Sequence, residues 1–156
     1  MSKSIQDIYE EARVLNGSIK KLLHDACYEE FDDMSGVDFN HMDSEQLFLV
    51  DALREILNHL SEAAYEIDYL GAPIREKGCL HKNANGRYEL NGSELTCGCG
   101  IEYLMEDEYH EVYDITTSDF ISVPYWKSGR IEHNGKDYYI VGADLETLEN
   151  VKVRRR

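Results

Sequence analysis

Three Asn-Gly dipeptides, at 85–86, 91–92 and 134–135, fall in the second half of this chain, each between short runs rich in aromatic and aliphatic residues. Asn-Gly between alternating runs is a strong hairpin signal, because the tightest hairpin turn asks both central residues for positive φ and these two tolerate it best. The clearest case runs from Trp126 to His133, turns at Asn134-Gly135 and returns from Lys136 to Val141. Upstream, Cys79 to Lys82, Arg87 to Leu90 and Ser93 to Thr96 flank the other two turns. The second half, 78–156, is therefore expected to be a small antiparallel β domain of about five or six strands. Glu102 to Met105 reads as a further strand and Phe120 to Tyr125 as an extended segment in which Pro124 suits an edge. Between them lies an acidic, tyrosine-rich insertion near 106–122, either a long loop or one more hairpin. Val151 to Arg156 alternates like a last strand and ends in a basic tail.

The first half has a different period. Ile5, Ile8, Ala12, Leu15, Ile19, Leu22 and Ala26 recur in steps of three and four, the seam of an amphipathic helix starting at Ser4 and expected to end near Asp33. The register does not slip at Asn16-Gly17, so one continuous helix is expected there despite the roughly 1 kcal/mol cost of the glycine. Asp43-Ser44-Glu45-Gln46 reads as the start of a second helix, with an oxygen-bearing cap and acid in the first turn. Its seam is Leu49, Leu53, Ile56, Leu60, Ala63, Ile67 and Leu70, and Gly71 with Pro73 stops it. Two such helices make an antiparallel hairpin over 1–72, with Phe48, Val50, Leu57 and Tyr65 widening an apolar face expected to pack on the β domain. The fold class is α+β.

Charge narrows the function. The chain holds 16 Lys and Arg against 31 Asp and Glu, a net charge of −15. This argues against direct binding to DNA or an anionic membrane and points to a basic protein partner. The acid is concentrated in residues 1–70, which carry 5 basic and 16 acidic side chains, net −11. No apolar run is long enough to span a bilayer and no signal-peptide core follows Met1, so a cytoplasmic protein with four reduced cysteines is expected.

No catalytic motif stands out, and neither a catalytic residue nor a cofactor is expected. Cys97-Gly98-Cys99, with Cys79 and His81 near, fits zinc spacing poorly, and small apolar fillers are the plainer reading, so no metal is assigned. Glu102, Glu106, Asp107 and His110 or His133 would be the candidates for a metal-dependent nuclease, but acids adjacent in sequence do not establish convergence in space. Of the dense aromatic set, Trp126 and one of Tyr138 and Tyr139 are expected in the core. Others, among them Tyr109, Tyr113 and Tyr125, are expected on a contact surface.

Gly86-Arg87-Tyr88-Glu89-Leu90, Gly92, Glu94-Leu95-Thr96, Gly100-Ile101-Glu102, Trp126 to Glu132 and Tyr138-Tyr139 together resemble a family of short bacterial domains of unknown function. Those domains are common on Firmicutes mobile elements, and the resemblance implies a small SH3-like β-barrel over 78–156. The chain as a whole looks like the type II-A anti-CRISPR proteins, which disarm the Cas9 effector. Taken with the net −11 of residues 1–70, that likeness gives the expectation of an inhibitor binding Cas9, or Cas9 with its guide RNA, through an acidic surface that mimics nucleic acid. Glu29, Glu30, Asp32, Asp33, Asp51, Glu55 and Glu62 would form that surface, with Tyr109, Tyr113 and Tyr125 as further contacts. The alternatives are a guide-RNA-cutting metal-dependent nuclease acting with Cas9, and a non-catalytic scaffold module of a mobile element.

Overall fold

The computed structural model describes residues 2–28, 34–114 and 116–156, with the backbone alone at 107–112, 114 and 120–122. The chain divides into two compact units, Met1–Ala72 and Pro73–Arg156. The first is helical and the second an antiparallel sheet, so the fold is α+β.

Helix α1 (Ile5–Asp25) begins with a reciprocal cap: the Ser4 hydroxyl accepts from the Asp7 amide at 3.1 Å, and the Asp7 carboxylate accepts from the Ser4 amide at 3.0 Å. It runs unbroken through Asn16-Gly17. It ends well short of the expected Asp33, because the chain turns back on itself. Cys27 takes a positive φ of 49°, and the Gly36 amide donates to the Ala26 carbonyl at 3.1 Å. A Cβ on Gly36 would lie 2.4 Å from the Asp25 carbonyl oxygen, so only glycine allows this return. Helix α2 (Ser44–Gly71) repeats the capping device with Asp43 and Gln46.

The helices are antiparallel. The Asn16 amide donates to Asp68 at 2.9 Å and Lys20 pairs with Asp68 at 2.6 Å, while Tyr28 reaches Asn58 at the other end. The buried positions are Asn16 and Ile19 on α1, Ala26 at its C-cap, and Val50, Leu57 and Ala64 on α2, with Ala12, Leu23, Leu60 and Ile67 half-buried beside them. The expected seams are thus half correct. Ala12, Ile19, Ala26, Leu60 and Ile67 turn inward, whereas Ile8, Leu15, Leu22, Leu49, Ile56 and Leu70 stay exposed. Phe48 and Tyr65 are more exposed still. Apolar residues occupy three positions of each heptad on these helices, and two of the three meet the partner helix. On α1 one buried position is polar: Asn16 fixes the pairing of the helices through Asp68 at the expense of apolar burial, which hides the seam from a hydrophobicity count.

The sheet comprises β1 (Glu76–Lys82), β2 (Tyr88–Leu90), β3 (Ser93–Glu94), β4 (Gly100–Asp114), β5 (Asp119–His133), β6 (Tyr138–Ile140) and β7 (Lys152–Arg155). Their order is β3-β2-β1-β7-β4-β5-β6, all neighbours antiparallel, so the last strand enters the middle of the sheet. The expected SH3-like barrel is found as this seven-stranded sheet, curled into a half-barrel. Its curl is visible where distant strands meet: the rings of Tyr88 on β2 and Tyr138 on β6 pack edge to face at 6.4 Å, and Lys82 pairs with Asp137 at 2.7 Å. Inside the curl lie Leu80, Leu90, Leu95, Ile101, Tyr103, Ile131, Ile140, Leu148 and Val153, all essentially inaccessible.

Only Asn91-Gly92 has positive φ at both residues, and it alone makes a two-residue turn, between Leu90 and Ser93. The other two Asn-Gly pairs sit in longer loops closed by asparagine side chains. Asn83 Oδ1 accepts from the amides of Asn85 and Arg87, and Asn134 Oδ1 from those of Lys136 and Asp137. The acidic insertion is a hairpin: β4 and β5 stay paired out to Asp114 and Asp119, with an irregularity between Met105 and Tyr109.

Trp126 is not in the core. Leu104 pairs with Trp126, so both belong to the sheet face opposite Tyr103 and Met105. Tyr103 fills the interior instead, over Gly129, where a Cβ would stand 2.5 Å from Ile140 Cγ2 and 2.9 Å from Tyr103 Cε1. Of the paired tyrosines, Tyr138 packs against the core and Tyr139 is exposed.

Candidate functional site

Two surfaces carry charge in a defined geometry, one on each unit. On α2 the intervals from Asp51 to Glu55, Glu62 and Glu66 bring all four carboxylates within one narrow arc, on the side of the helix away from α1. All four residues are exposed. Local pairing is slight: Asp51 lies 3.4 Å from Arg54, and Glu62 lies 3.8 Å from His59 and accepts from Asn58 at 3.3 Å. Such exposed pairs contribute about 0–1 kcal/mol and leave the carboxylates accessible. The other expected acids, Glu29, Glu30, Asp32 and Asp33, lie outside the described residues.

On the sheet, β1, β7 and β4 set Lys77, Arg154 and Glu102 side by side in one row. Glu102 is 3% exposed and accepts from Nε of both Arg154 and Arg156, the latter at 2.6 Å. The Arg154 guanidinium lies 4.3 Å from the centroid of the Trp126 ring, and Lys77 Nζ approaches the same ring at 5.6 Å. Burial pushes the Glu102 carboxyl up, but the hydrogen bonds from Arg156 and Arg154 outweigh it and hold the group below its ordinary value of 4.5. This assembly is an ion triad in which one buried carboxylate is shared by two guanidinium groups, one of them against an aromatic ring. Both oxygens of Glu102 accept from arginines and the residue is almost wholly buried, which leaves it poorly placed to take a cation from solvent. Sequence reasoning singled out Glu102 as a metal-ligand candidate and missed its partners. The signal was present in the alternation of Val151 to Arg156, which puts 152, 154 and 156 on one face.

The remaining candidates fall apart in space or pair elsewhere. Glu106 pairs with Lys152 at 2.6 Å, and the His133 ring stacks edgewise on Tyr138 while its Nδ1 accepts from the Gly135 amide. The side chains of Asp107 and His110 are outside the described set. His81 is engaged by Glu149 at 2.9 Å. The four cysteines are free thiols, and among the described residues no group of three or more His, Cys, Asp or Glu is placed to hold a metal ion. Tyr113 is exposed near the end of the β4–β5 hairpin, Tyr109 faces Pro124 in the ladder, and Tyr125 is half-buried against the sheet core. Among the described residues no helix is long and apolar enough to cross a membrane.

No curated protein and no solved structure matches this chain. One family does, and its match over residues 78–155 takes in β7, β4 and β5, the strands that carry Glu102, Arg154 and Trp126. The likeness first visible in the turn glycines and aromatics thus extends over the sheet unit bar its first five residues and Arg156, and the chain belongs to the family described as a domain of unknown function, DUF5348.

Proposed function

We propose that this protein is a non-catalytic binding module whose acidic hairpin face occupies a basic groove that otherwise holds nucleic acid, with Cas9, free or carrying its guide RNA, as the partner. The observation that carries the reading is the carboxylate arc of Asp51, Glu55, Glu62 and Glu66 on a helix whose unit has net charge −11 over residues 1–70. A groove that binds a phosphate backbone does so largely by neutralising charge, and a rigid helix with carboxylates at repeated intervals competes for the same lysines and arginines. The choice of Cas9 rests on the likeness to type II-A anti-CRISPR proteins. A nuclease reading is less favoured, since Glu102 is committed to Arg154 and Arg156.

The test is plasmid cleavage by Cas9 in the presence of increasing protein, with the guide RNA added before or after it. Inhibition is expected in at least one order of addition, without any cutting of the guide when a divalent ion is present. Undiminished cleavage by several Cas9 orthologues in both orders would remove Cas9 as the partner, and ion-dependent cutting of the guide would make the protein an enzyme.

A further inference from the structure

The helical hairpin leaves one side apolar. Ile8, Leu15 and Leu22 each precede a position of α1 turned toward α2, and Leu49, Ile56 and Leu70 each precede the corresponding positions of α2. In an antiparallel pair these two sets project to the same side, because reversing a helix reverses both its direction and its sense of rotation seen from one end. The six side chains form a stripe along the hairpin, each between 48% and 58% exposed. Together they leave on the order of 600 Å² of apolar surface open to water, at the top of the range for the largest patch on a monomer.

We propose that this stripe is the interface of a twofold dimer, in which two hairpins close into a four-helix bundle. Three apolar positions per heptad is the pattern of bundle helices, which bury one pair of positions against a neighbour in the same hairpin and the third against the facing layer. A second copy offers an identical stripe of the same length. Two such faces with their polar rims reach the roughly 800 Å² per partner that a specific interface buries. The sheet unit offers no comparable surface: among its described residues the large apolar side chains left exposed are Ile74, Tyr113, Tyr139 and Val141, from separate segments. The acidic arc of α2 is centred about a quarter-turn around the helix from the stripe, so dimerisation leaves most of it open and doubles it.

Sedimentation equilibrium of the full chain over a range of concentrations tests this. The mass is expected to approach twice 18.0 kDa, and Leu15→Asn or Ile56→Asn, each altering the interface twice, is expected to weaken dimerisation at least about tenfold. Val14→Asn, at a more exposed position off the stripe, is expected to leave dimerisation unchanged, and unaltered helical circular dichroism shows that all three variants fold. A single-chain mass at every concentration overturns the proposal, whether the stripe is then found open or covered by the chain's own sheet unit. A dimer indifferent to both stripe substitutions overturns it too.

Discussion

Replacing Glu102 with glutamine is expected to cost about 3 kcal/mol of stability in the sheet unit, the lower end of what breaking a buried ion pair costs. The substitution keeps the volume but leaves the Arg154 and Arg156 guanidinium groups, with side chains 19% and 16% exposed, without the charge that compensates them. The same pair gives a pH dependence of defined sign. Because the carboxyl titrates lower in the folded protein than in the unfolded chain, its contribution is fully present above about 4.5 and is lost as pH falls through the depressed folded value. Urea unfolding followed by fluorescence reports on this directly, since the chain's single tryptophan is Trp126 in the sheet unit. The urea midpoint should drop at pH 7 in Glu102→Gln, and its fall between pH 5 and pH 3 should be shallower than in the parent. An unchanged midpoint at pH 7 would mean that the triad contributes nothing net.

Gly129→Val is expected to be at least as damaging, about 3 kcal/mol or more, by overpacking. The position faces the inside of the curl, opposite Ile101, and a Cβ there already overlaps Ile140 and the Tyr103 ring. Neither neighbour can retreat, since both are almost completely buried. Some of the loss is returned by the lower entropy of the unfolded chain and the better strand propensity of valine, roughly 1 kcal/mol. Pairing the substitution with Tyr103→Phe does not relieve the clash, because the overlap is with ring carbons, whereas Ile140→Ala should relieve part of it. Equal midpoints for Gly129→Val and the parent would show that the ring of Tyr103 lies elsewhere.

What the sequence made legible follows from which physical signals are local. The Asp43 cap, the uninterrupted register through Asn16-Gly17 and the alternation on either side of the turns are short-range properties, and they located both helices and the hairpins. The end of α1 was hidden because it depends on Gly36 approaching the Asp25 carbonyl from outside the helix. The helix seams were half legible. With three apolar positions per turn pair, the sequence shows a wide face but not which edge of it meets the neighbour, and Asn16 biased the choice. Trp126 was misplaced for a related reason: size argues for the core, but strand parity relative to Tyr103 puts the ring outside, where Arg154 and Lys77 cover it. Of the surface residues, the α2 carboxylates were legible because helical spacing alone puts them on one face. The arginine partners of Glu102 were not, since a strand from the end of the chain inserts beside β1 and β4.

The most direct test of the proposed function is the affinity for Cas9 across a salt series, for the parent and for a variant with Asp51, Glu55, Glu62 and Glu66 all changed to lysine. These residues are exposed on the outer side of α2, so the variant should keep its helical circular dichroism. The parent's affinity should fall steeply with salt, as it does for the nucleic acid it would displace, and the variant should bind at least about a hundredfold more weakly at low salt with a much flatter dependence. Equal affinities and equal salt slopes for the two proteins would contradict the account.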